Sequence, residues 1–213
     1  MNVNPSLPDL TVFGAGGHGR VIADSALRAG FKRIVFVDNN PVSNTGIQGI
    51  IILNSIDVSK EDWRDRPFIV GIGKNEVRAR IYNHLSSLGA RPVSVIDPGS
   101  QVSRFASIST GCFIAPGAIV NTNVTIDCNV IINTAATVDH DCVLYAHCQV
   151  APGAHLGGGV RLGVEAMVCI GATIVPSCSI GEKTIIGAGS VVTRNISSRI
   201  TAWGIPAKIT KSK

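Results

Sequence analysis

Every sixth residue from Ile96 to Val192 is aliphatic. The positions are Ile96, Val102, Ile108, Ile114, Val120, Ile126, Ile132, Val138, Leu144, Val150, Leu156, Leu162, Val168, Ile174, Ile180, Ile186 and Val192. Neither a helix, with its 3.6-residue period, nor a strand, with its 2-residue period, generates a strict six. A coil with three flat sides does, when each side turns one aliphatic residue inward; six residues a side make about 18 per coil. One coil cannot bury its apolar side alone, so coils must stack and align these residues into ladders. The run is long enough for roughly five coils.

A second regularity narrows the shape. Two positions before the ladder residues stand Ser100, Ala106, Cys112, Ala118, Val124, Val130, Ala136, Cys142, Cys148, Ala154, Val160, Ala166, Ala172, Cys178, Thr184 and Ser190. All are small, as the inner corner of a narrow prism requires, because a larger side chain would overpack it. Cys112, Cys142, Cys148 and Cys178 read as core filler, since a free thiol behaves as a small hydrophobe. One position after the ladder, Asn121, Asn133, Gly157, Gly163, Gly181 and Gly187 recur. Both residue types tolerate left-handed backbone, so these are expected to carry the tight corner conformations.

Composition excludes several function classes. The net charge of +5 is too mild and scattered for a nucleic-acid surface. It suits a phosphate-bearing small molecule equally well as plain solubility. No Cys-x-x-Cys pair is present, and the thiols are expected to be reduced. The first ten residues lack a basic and apolar leader, and no apolar stretch approaches the roughly 18 residues that span a bilayer. The expectation is a soluble cytoplasmic protein that binds neither nucleic acid nor membrane.

Residues 1–95 follow a different logic. Leu10 to Phe13 reads as a strand, Gly14-Ala15-Gly16-Gly17-His18-Gly19 as a loop, Val21 to Ala29 as a helix ending at Gly30, and Ile34 to Val37 as a second strand closed by Asp38. The spacing of Gly14, Gly16 and Gly19 matches the dinucleotide fingerprint, with an acid placed for a ribose. Taken alone this suggests NAD, yet the region is too short for two mononucleotide-binding halves. After Asp38 comes a loop rich in Asn, Gly and Pro. Phe68 to Ile72, Gly73 and a helix from about Glu76 to Leu88 follow. Glycines at a helix start let any phosphate approach backbone N–H groups.

Five histidines are candidates for acid–base work: His18, His84, His140, His147 and His155. His140 lies two after the ladder residue Val138, so it is expected to project outward near a corner, with Asp141 beside it. An exposed turn histidine next to an aspartate is also a common surface arrangement.

The ladder segment resembles the left-handed parallel β-helix of the hexapeptide-repeat transferases, and Gly204-Ile205-Pro206-Ala207-Lys208 resembles that family's usual ending. The same fold hosts γ-class carbonic anhydrases and non-catalytic assembly subunits. The spacing of His140, His147 and His155 does not resemble the zinc ligands of the former, so no metal is expected. With the glycine loop, Val37-Asp38-Asn39 and Gly71-Ile72-Gly73-Lys74-Asn75-Glu76-Val77-Arg78 included, nearly the whole chain resembles the sialic-acid/bacillosamine-type sugar O- and N-acetyltransferases. The resemblance implies a Rossmann-like α/β domain over 1–95 that binds a nucleotide sugar, and an all-β left-handed β-helix over 96–213 that uses acetyl-CoA. It also implies a homotrimer with the CoA lying between neighbouring helices.

Carried over residue by residue, the resemblance makes His140 the general base, Asp141 the acid that orients it, and Asn133 a hydrogen-bonding neighbour of the reacting groups. Gly14, Gly16, Gly17 and His18 would line the pyrophosphate and sugar loop. Asp38 and Asn39 would face the base or ribose, and Gly73, Lys74 and Asn75 would close the pocket. Gln149 stands where the family often has a second histidine, leaving His147 or His155 as substitutes, or no substitute at all. Gly158, Ile170, Gly187, Ala188 and Gly189 are the implied CoA contacts, and Lys208 and Lys211 are candidates for its phosphates. The implied reaction is N-acetylation of a UDP-linked 4-amino-4,6-dideoxy sugar. A GDP-linked amino sugar and a sugar hydroxyl are the near alternatives. A non-catalytic β-helix that binds nucleotide sugar or assembles with partners is the reading of another class.

Overall fold

The structure is a computed structural model that describes residues 9–39, 51–54 and 62–212, with 51–54 and 211–212 as backbone. The Asn-, Gly- and Pro-rich loop expected after Asp38 lies outside the described residues from position 40 onward, as does the chain start up to position 8.

The N-terminal part is a parallel sheet flanked by two helices. Its elements are β1 (Leu10–Phe13), α1 (Gly17–Arg28), β2 (Ile34–Asp38), β3 (Ile51–Asn54), β4 (Pro67–Val70), α2 (Asn75–Ser87) and β5 (Arg91–Pro92). The strand order is β3-β2-β1-β4-β5. The chain therefore reverses direction of winding at β1, and the crevice beyond the ends of β1 and β4 is the usual ligand position in such sheets. The loops that follow these two strands are the Gly14–Gly17 loop and the Gly71–Lys74 loop. Helix α1 starts four residues before the expected Val21, because the glycine loop is itself the first helical turn.

From Val95 onward, two-residue strands repeat every six residues and wind around a three-sided prism. The first face carries Val95–Ile96, Phe113–Ile114, Ile131–Ile132, Gln149–Val150, Met167–Val168 and Ile185–Ile186. It is extended by the hairpin Ile200–Gly204 and Ala207–Ser212. The second face begins at Gln101–Val102 and has six strands; the third begins at Ser107–Ile108 and has five. Residues 18 apart pair in parallel, for instance Thr137 with His155 and Val138 with Leu156. The helix thus reaches six rungs on two faces, one more than the ladder count suggested.

The ladder residues from Ile114 to Val192 fill the prism core, together with Cys112, Cys142, Cys148 and Cys178. Burial pushes the Cys112 thiol up to about 12, so this side chain is apolar filler at neutral pH. Ile96 is exposed because no coil lies beneath it.

The corner conformations differ from expectation. Left-handed backbone falls three residues after the ladder position, at Asn123, Asn129, Ala135, Asp141, His147, Glu165, Ser177 and Lys183 and at glycines such as Gly159 and Gly171. It does not fall one after, at Asn121, Asn133, Gly157, Gly163, Gly181 or Gly187. Four of those positions are glycine for a different reason. A β-carbon at Gly157 would sit 2.8 Å from the backbone nitrogen of Pro176, and one at Gly181 would sit 2.3 Å from that of Ser198. Gly163 and Gly187 are closed off by the Glu182 backbone and Trp203. The next coil passes too near for any side chain.

The α/β part docks on the first face. Leu10, Val12, Ala15, Ile22, Ala23, Ala26, Ile34, Phe36 and Ile69 share one core with Val95, Phe113, Ala115 and Ile131. Those last residues point outward from the prism and would be wet without this cover. Polar groups complete the junction. Asn75 donates its amide hydrogens to the carbonyls of Glu165 (2.9 Å) and Ala166 (3.1 Å). Arg78 is buried and donates to five carbonyls, those of Asn129, Ile72, Gly73, His147 and Cys148. Arg28 pairs with the buried carboxylate of Asp97 at 2.5 Å and pins the end of α1 to the first coil.

Candidate active site

The glycine loop divides into two kinds of glycine. Gly14 has φ +105°, and a β-carbon there would press on Gly71 and Ile72 at 3.0 Å; at Gly19 it would lie 1.8 Å from the Gly14 carbonyl oxygen. Chain packing explains both. Gly16, Gly17 and Gly73 meet nothing within 4 Å and have ordinary φ, so neither strain nor packing requires glycine there. These three leave backbone N–H groups open to a close-lying ligand. Both adjoining helices begin without a side-chain cap, at Gly16 for α1 and Lys74 for α2. Their first N–H groups are free to bind an anion, and each helix dipole favours one.

Beside this crevice lies a cavity of about 460 Å³ lined by Gly14, Asp38, Asn39, Ile72, Ile81 and His84 among others. Asp38 lines it and also accepts a hydrogen bond from the Ala15 N–H at 2.7 Å, which ties the loop to β2. Gly16, Gly17, His18, Gly73, Lys74 and Asn75 do not line the cavity; they form the crevice wall next to it or, for Asn75, the buried junction with the helix.

His140 stands at the corner between the second and third faces. Its Nδ1 is 2.8 Å from Asp141 Oδ2, and Asn123 donates to the other carboxylate oxygen at 3.3 Å. The left-handed backbone of Asp141 (φ +62°) folds its carboxylate back onto the ring. Asp139 accepts from the His140 N–H at 2.8 Å and is held in turn by Asn121. One coil above, the imidazole rests against Gly158. Both side chains of the pair are more than half exposed. The hydrogen bond to Asp141, aided by Asp139, raises the His140 pKa above the ordinary imidazole value, and the Asp141 carboxyl is held below its own. With Nδ1–H donated to Asp141, neutral His140 offers the Nε2 lone pair as a base. Among the described residues the N–H of Gly158 makes no hydrogen bond, whereas those of Gly157 and Gly159 are taken by Ile174 and His140.

The other predicted residues lie elsewhere on the prism. Asn133, Ile170 and Gly187–Gly189 line the corner between the first and second faces. Asn133 accepts from its neighbour Thr134 and makes no bond to His140. Ile170 is highly exposed. Gln149 is buried on the first face beneath the α/β part, with its Oε1 unpaired among the described residues. His147 is buried at the junction with the α/β part, its Nδ1 2.8 Å from Asn129 Nδ2 and its ring edge-on to Tyr82 of α2. His155 stands exposed on the second face, 2.9 Å from the Thr137 hydroxyl. The three histidines of the helix occupy three different places. One chain does not unite these groups: the glycine loops sit over the first face, and His140 occupies the vertex opposite that face.

His18, at the start of α1, packs edge-on against Phe113 at 5.6 Å, and its enclosed Nε2 has no hydrogen-bond partner among the described residues. Burial first, and then the charge of Arg78, lower its pKa from 6.5 to about 4. The folded state therefore keeps His18 neutral where the unfolded chain already binds a proton. Its contribution is complete above pH 6.5 and is lost as pH falls from 6.5 to about 4. At ~1.4 kcal/mol for each pH unit of that window, the loss amounts to about 3 kcal/mol. Urea melts at pH 7.0 and 4.5 are expected to show this drop, and His18→Gln is expected to flatten it.

A three-sided parallel coil with an outward His–Asp pair is the form expected of a hexapeptide-repeat acyltransferase. Comparison with known proteins narrows the class. The family profile for the PglD N-terminal domain matches residues 9–85. A GDP-perosamine N-acetyltransferase of Escherichia coli O157:H7 is 30% identical over 188 residues, covering 84% of this chain and 82% of that protein. Among solved structures, a histidine-to-alanine mutant of the GDP-perosamine N-acetyltransferase of Caulobacter crescentus, in complex with CoA and GDP-perosamine, superposes with a TM-score of 0.87. It is 31% identical and covers 95% of this chain and 97% of that one. The acetyltransferase domain of PglB from Neisseria gonorrhoeae FA1090, in complex with acetyl coenzyme A, gives a TM-score of 0.89 at 34% identity, covering 94% and 98%. The chain belongs to this PglD-like family of left-handed β-helix sugar acetyltransferases.

Proposed function

We propose that the protein transfers an acetyl group from acetyl-CoA to the amino group of a nucleoside-diphosphate-linked amino sugar. The observation that carries this reading is the His140–Asp141 pair set beside the unpaired N–H of Gly158. The sugar amine attacks the thioester carbonyl carbon while His140 Nε2 takes a proton from the nitrogen. The Gly158 N–H donates to the carbonyl oxygen as charge builds on it, a form of stabilisation that accelerates acyl transfer strongly. Collapse of the intermediate breaks the C–S bond, leaves an amide on the sugar, and returns the proton to the departing CoA sulfur. Asp141 keeps Nδ1 protonated and the ring aimed.

The division of labour follows the two architectures, with residues 1–95 holding the nucleotide and 96–213 the acyl donor. Gly16, Gly17, His18, Gly73 and Lys74 receive the diphosphate at the two uncapped helix starts, and Gly14, Asp38 and Asn39 take the nucleoside in the adjoining cavity. Gln149 lies between these parts, and Asn75 secures the second loop from behind. Ile170 and Gly187–Gly189 lie along the edge where CoA runs. Because His140 and the glycine loops occupy opposite sides of one prism, a working site is shared between copies of the chain. This supports the homotrimer, in which one chain's corner meets another's loops.

The nucleotide is the point at which the reading departs from the UDP expectation. The relatives that span nearly the whole chain and whose names state a nucleotide sugar are named for GDP-perosamine, which favours a GDP-linked 4-amino-4,6-dideoxy sugar. A ligand selective for the folded protein stabilises it by ~2.7 kcal/mol at a hundred times its Kd. For a chain of this size that is a rise in Tm of about 5–10 °C. The GDP-linked amino sugar is expected to produce this rise and its UDP counterpart, at equal concentration, less than half of it. An equal or larger rise with UDP would reverse the assignment.

A further inference from the structure

We infer that Gly158 is a positioning residue for His140, and that its missing β-carbon is the seat in which the imidazole lies. The inference rests on the reading of His140 as the base. An ideal β-carbon at position 158 would fall 2.5 Å from His140 Cε1, 2.6 Å from Nε2 and 3.1 Å from Nδ1. The three nearest atoms all belong to the imidazole, so the ring is what a side chain there would meet first. The backbone gives no competing reason, since Gly158 is not among the residues with left-handed φ. Gly157, Gly163 and Gly181 differ in kind, because the β-carbon there would strike the backbone of the next coil.

The seat acts together with two fixed contacts. Gly159 N–H donates to the His140 carbonyl at 2.8 Å and sets the height of the histidine backbone beneath position 158. Asp141 holds Nδ1 from the side. The ring is therefore bounded by the Gly158 α-carbon above and the carboxylate beside it, which leaves one orientation for Nε2. A methyl group at 158 forces the ring to rotate away, parting Nδ1 from Asp141 and moving Nε2 off the line to the amine. Alanine keeps the N–H at 158, so Gly158→Ala isolates the loss of the seat from the loss of the donor.

The test compares Gly158→Ala, His140→Ala and the double variant by steady-state kinetics, by ligand affinity, and by NMR titration of the His140 ring. Gly158→Ala is expected to fold with an unchanged Tm and to keep the affinity for CoA within twofold. Its kcat is expected to fall ~100-fold, the usual cost of an ångström-scale misplacement. The titration midpoint of His140 moves down toward that of a free imidazole as the Asp141 contact is lost. The double variant is expected to be no slower than His140→Ala. The seat is refuted if Gly158→Ala keeps both the wild-type kcat and the wild-type titration. It is also refuted if CoA affinity falls equally in both backgrounds, which would make position 158 a plain CoA contact, or if the variant fails to fold, which would mean that more than the imidazole opposes the methyl. Should His140→Ala stay active, the base assignment fails, and the NMR titration of Gly158→Ala still reports on the seat.

Discussion

Replacing His140 with alanine is expected to lower kcat by ~10²–10⁴-fold, the range for loss of a general base. The binding of CoA and of the nucleotide sugar should persist, because the donor backbone and the glycine loops are untouched. The ring is more than half exposed and its side-chain hydrogen bond runs to Asp141, so the fold should persist. The wild-type pH profile carries the same information. Only neutral His140 accepts a proton, so activity rises with pH as the imidazolium deprotonates. The contact with Asp141 raises that pKa, which places the rising limb above the pH of an ordinary histidine. His140→Ala should abolish the limb, while Asp141→Asn should move it to lower pH and reduce kcat, since the amide no longer favours the imidazolium. A His140 variant with near-normal kcat and an intact limb would assign the base to another group.

Arg78→Ala should destabilise the fold by about 3–5 kcal/mol, among the largest effects of any single truncation here. All five N–H donors of the guanidinium are used. Two bonds run to Ile72 and Gly73 beside the second glycine loop, and three run to Asn129, His147 and Cys148 on the helix. Burial lowers its pKa to about 10, so it stays charged at neutral pH and the carbonyl dipoles compensate the charge. Alanine strands the buried carbonyls of Asn129 and His147, while that of Cys148 keeps the Ile131 N–H; lysine offers three donors from a single point and cannot reproduce the planar fork. The urea midpoint is expected to fall with an unchanged m-value, which separates lost stability from a change in the unfolded chain. A variant within 1 kcal/mol of wild type would remove Arg78 from the role of clamp.

The prism was legible in the sequence because its rule is strict: one aliphatic residue every six, with small residues two before. The same rule made filler of Cys112, Cys142, Cys148 and Cys178. The outward placement of His140 was legible too, since it breaks the pattern on that side with an acid beside it. Corner conformation was not. Gly one after the ladder reflects the crowding of stacked coils, whereas the left-handed residue three after can be Asp141, His147 or Glu165, which do not announce it. Arg78 was hidden by its charge, although it shares the helical stripe of Ala79, Tyr82 and Leu85 and so had a core position. Gln149 should be exposed by strand alternation, yet the α/β part covers that face. Contacts of this kind depend on how two separately patterned segments meet, and no local period encodes that.

The central claim is acetyl transfer to a nucleotide-linked amine, and direct observation of the product tests it most closely. The protein would be incubated with acetyl-CoA and a GDP-linked 4-amino-4,6-dideoxy sugar, with free thiol and the mass of the nucleotide sugar followed together. The account predicts one CoA thiol released for each sugar that gains a single acetyl group on nitrogen, and loss of both signals in His140→Ala. Binding of both ligands with neither thiol release nor an acetylated sugar, from GDP- or UDP-linked amines alike, would contradict it.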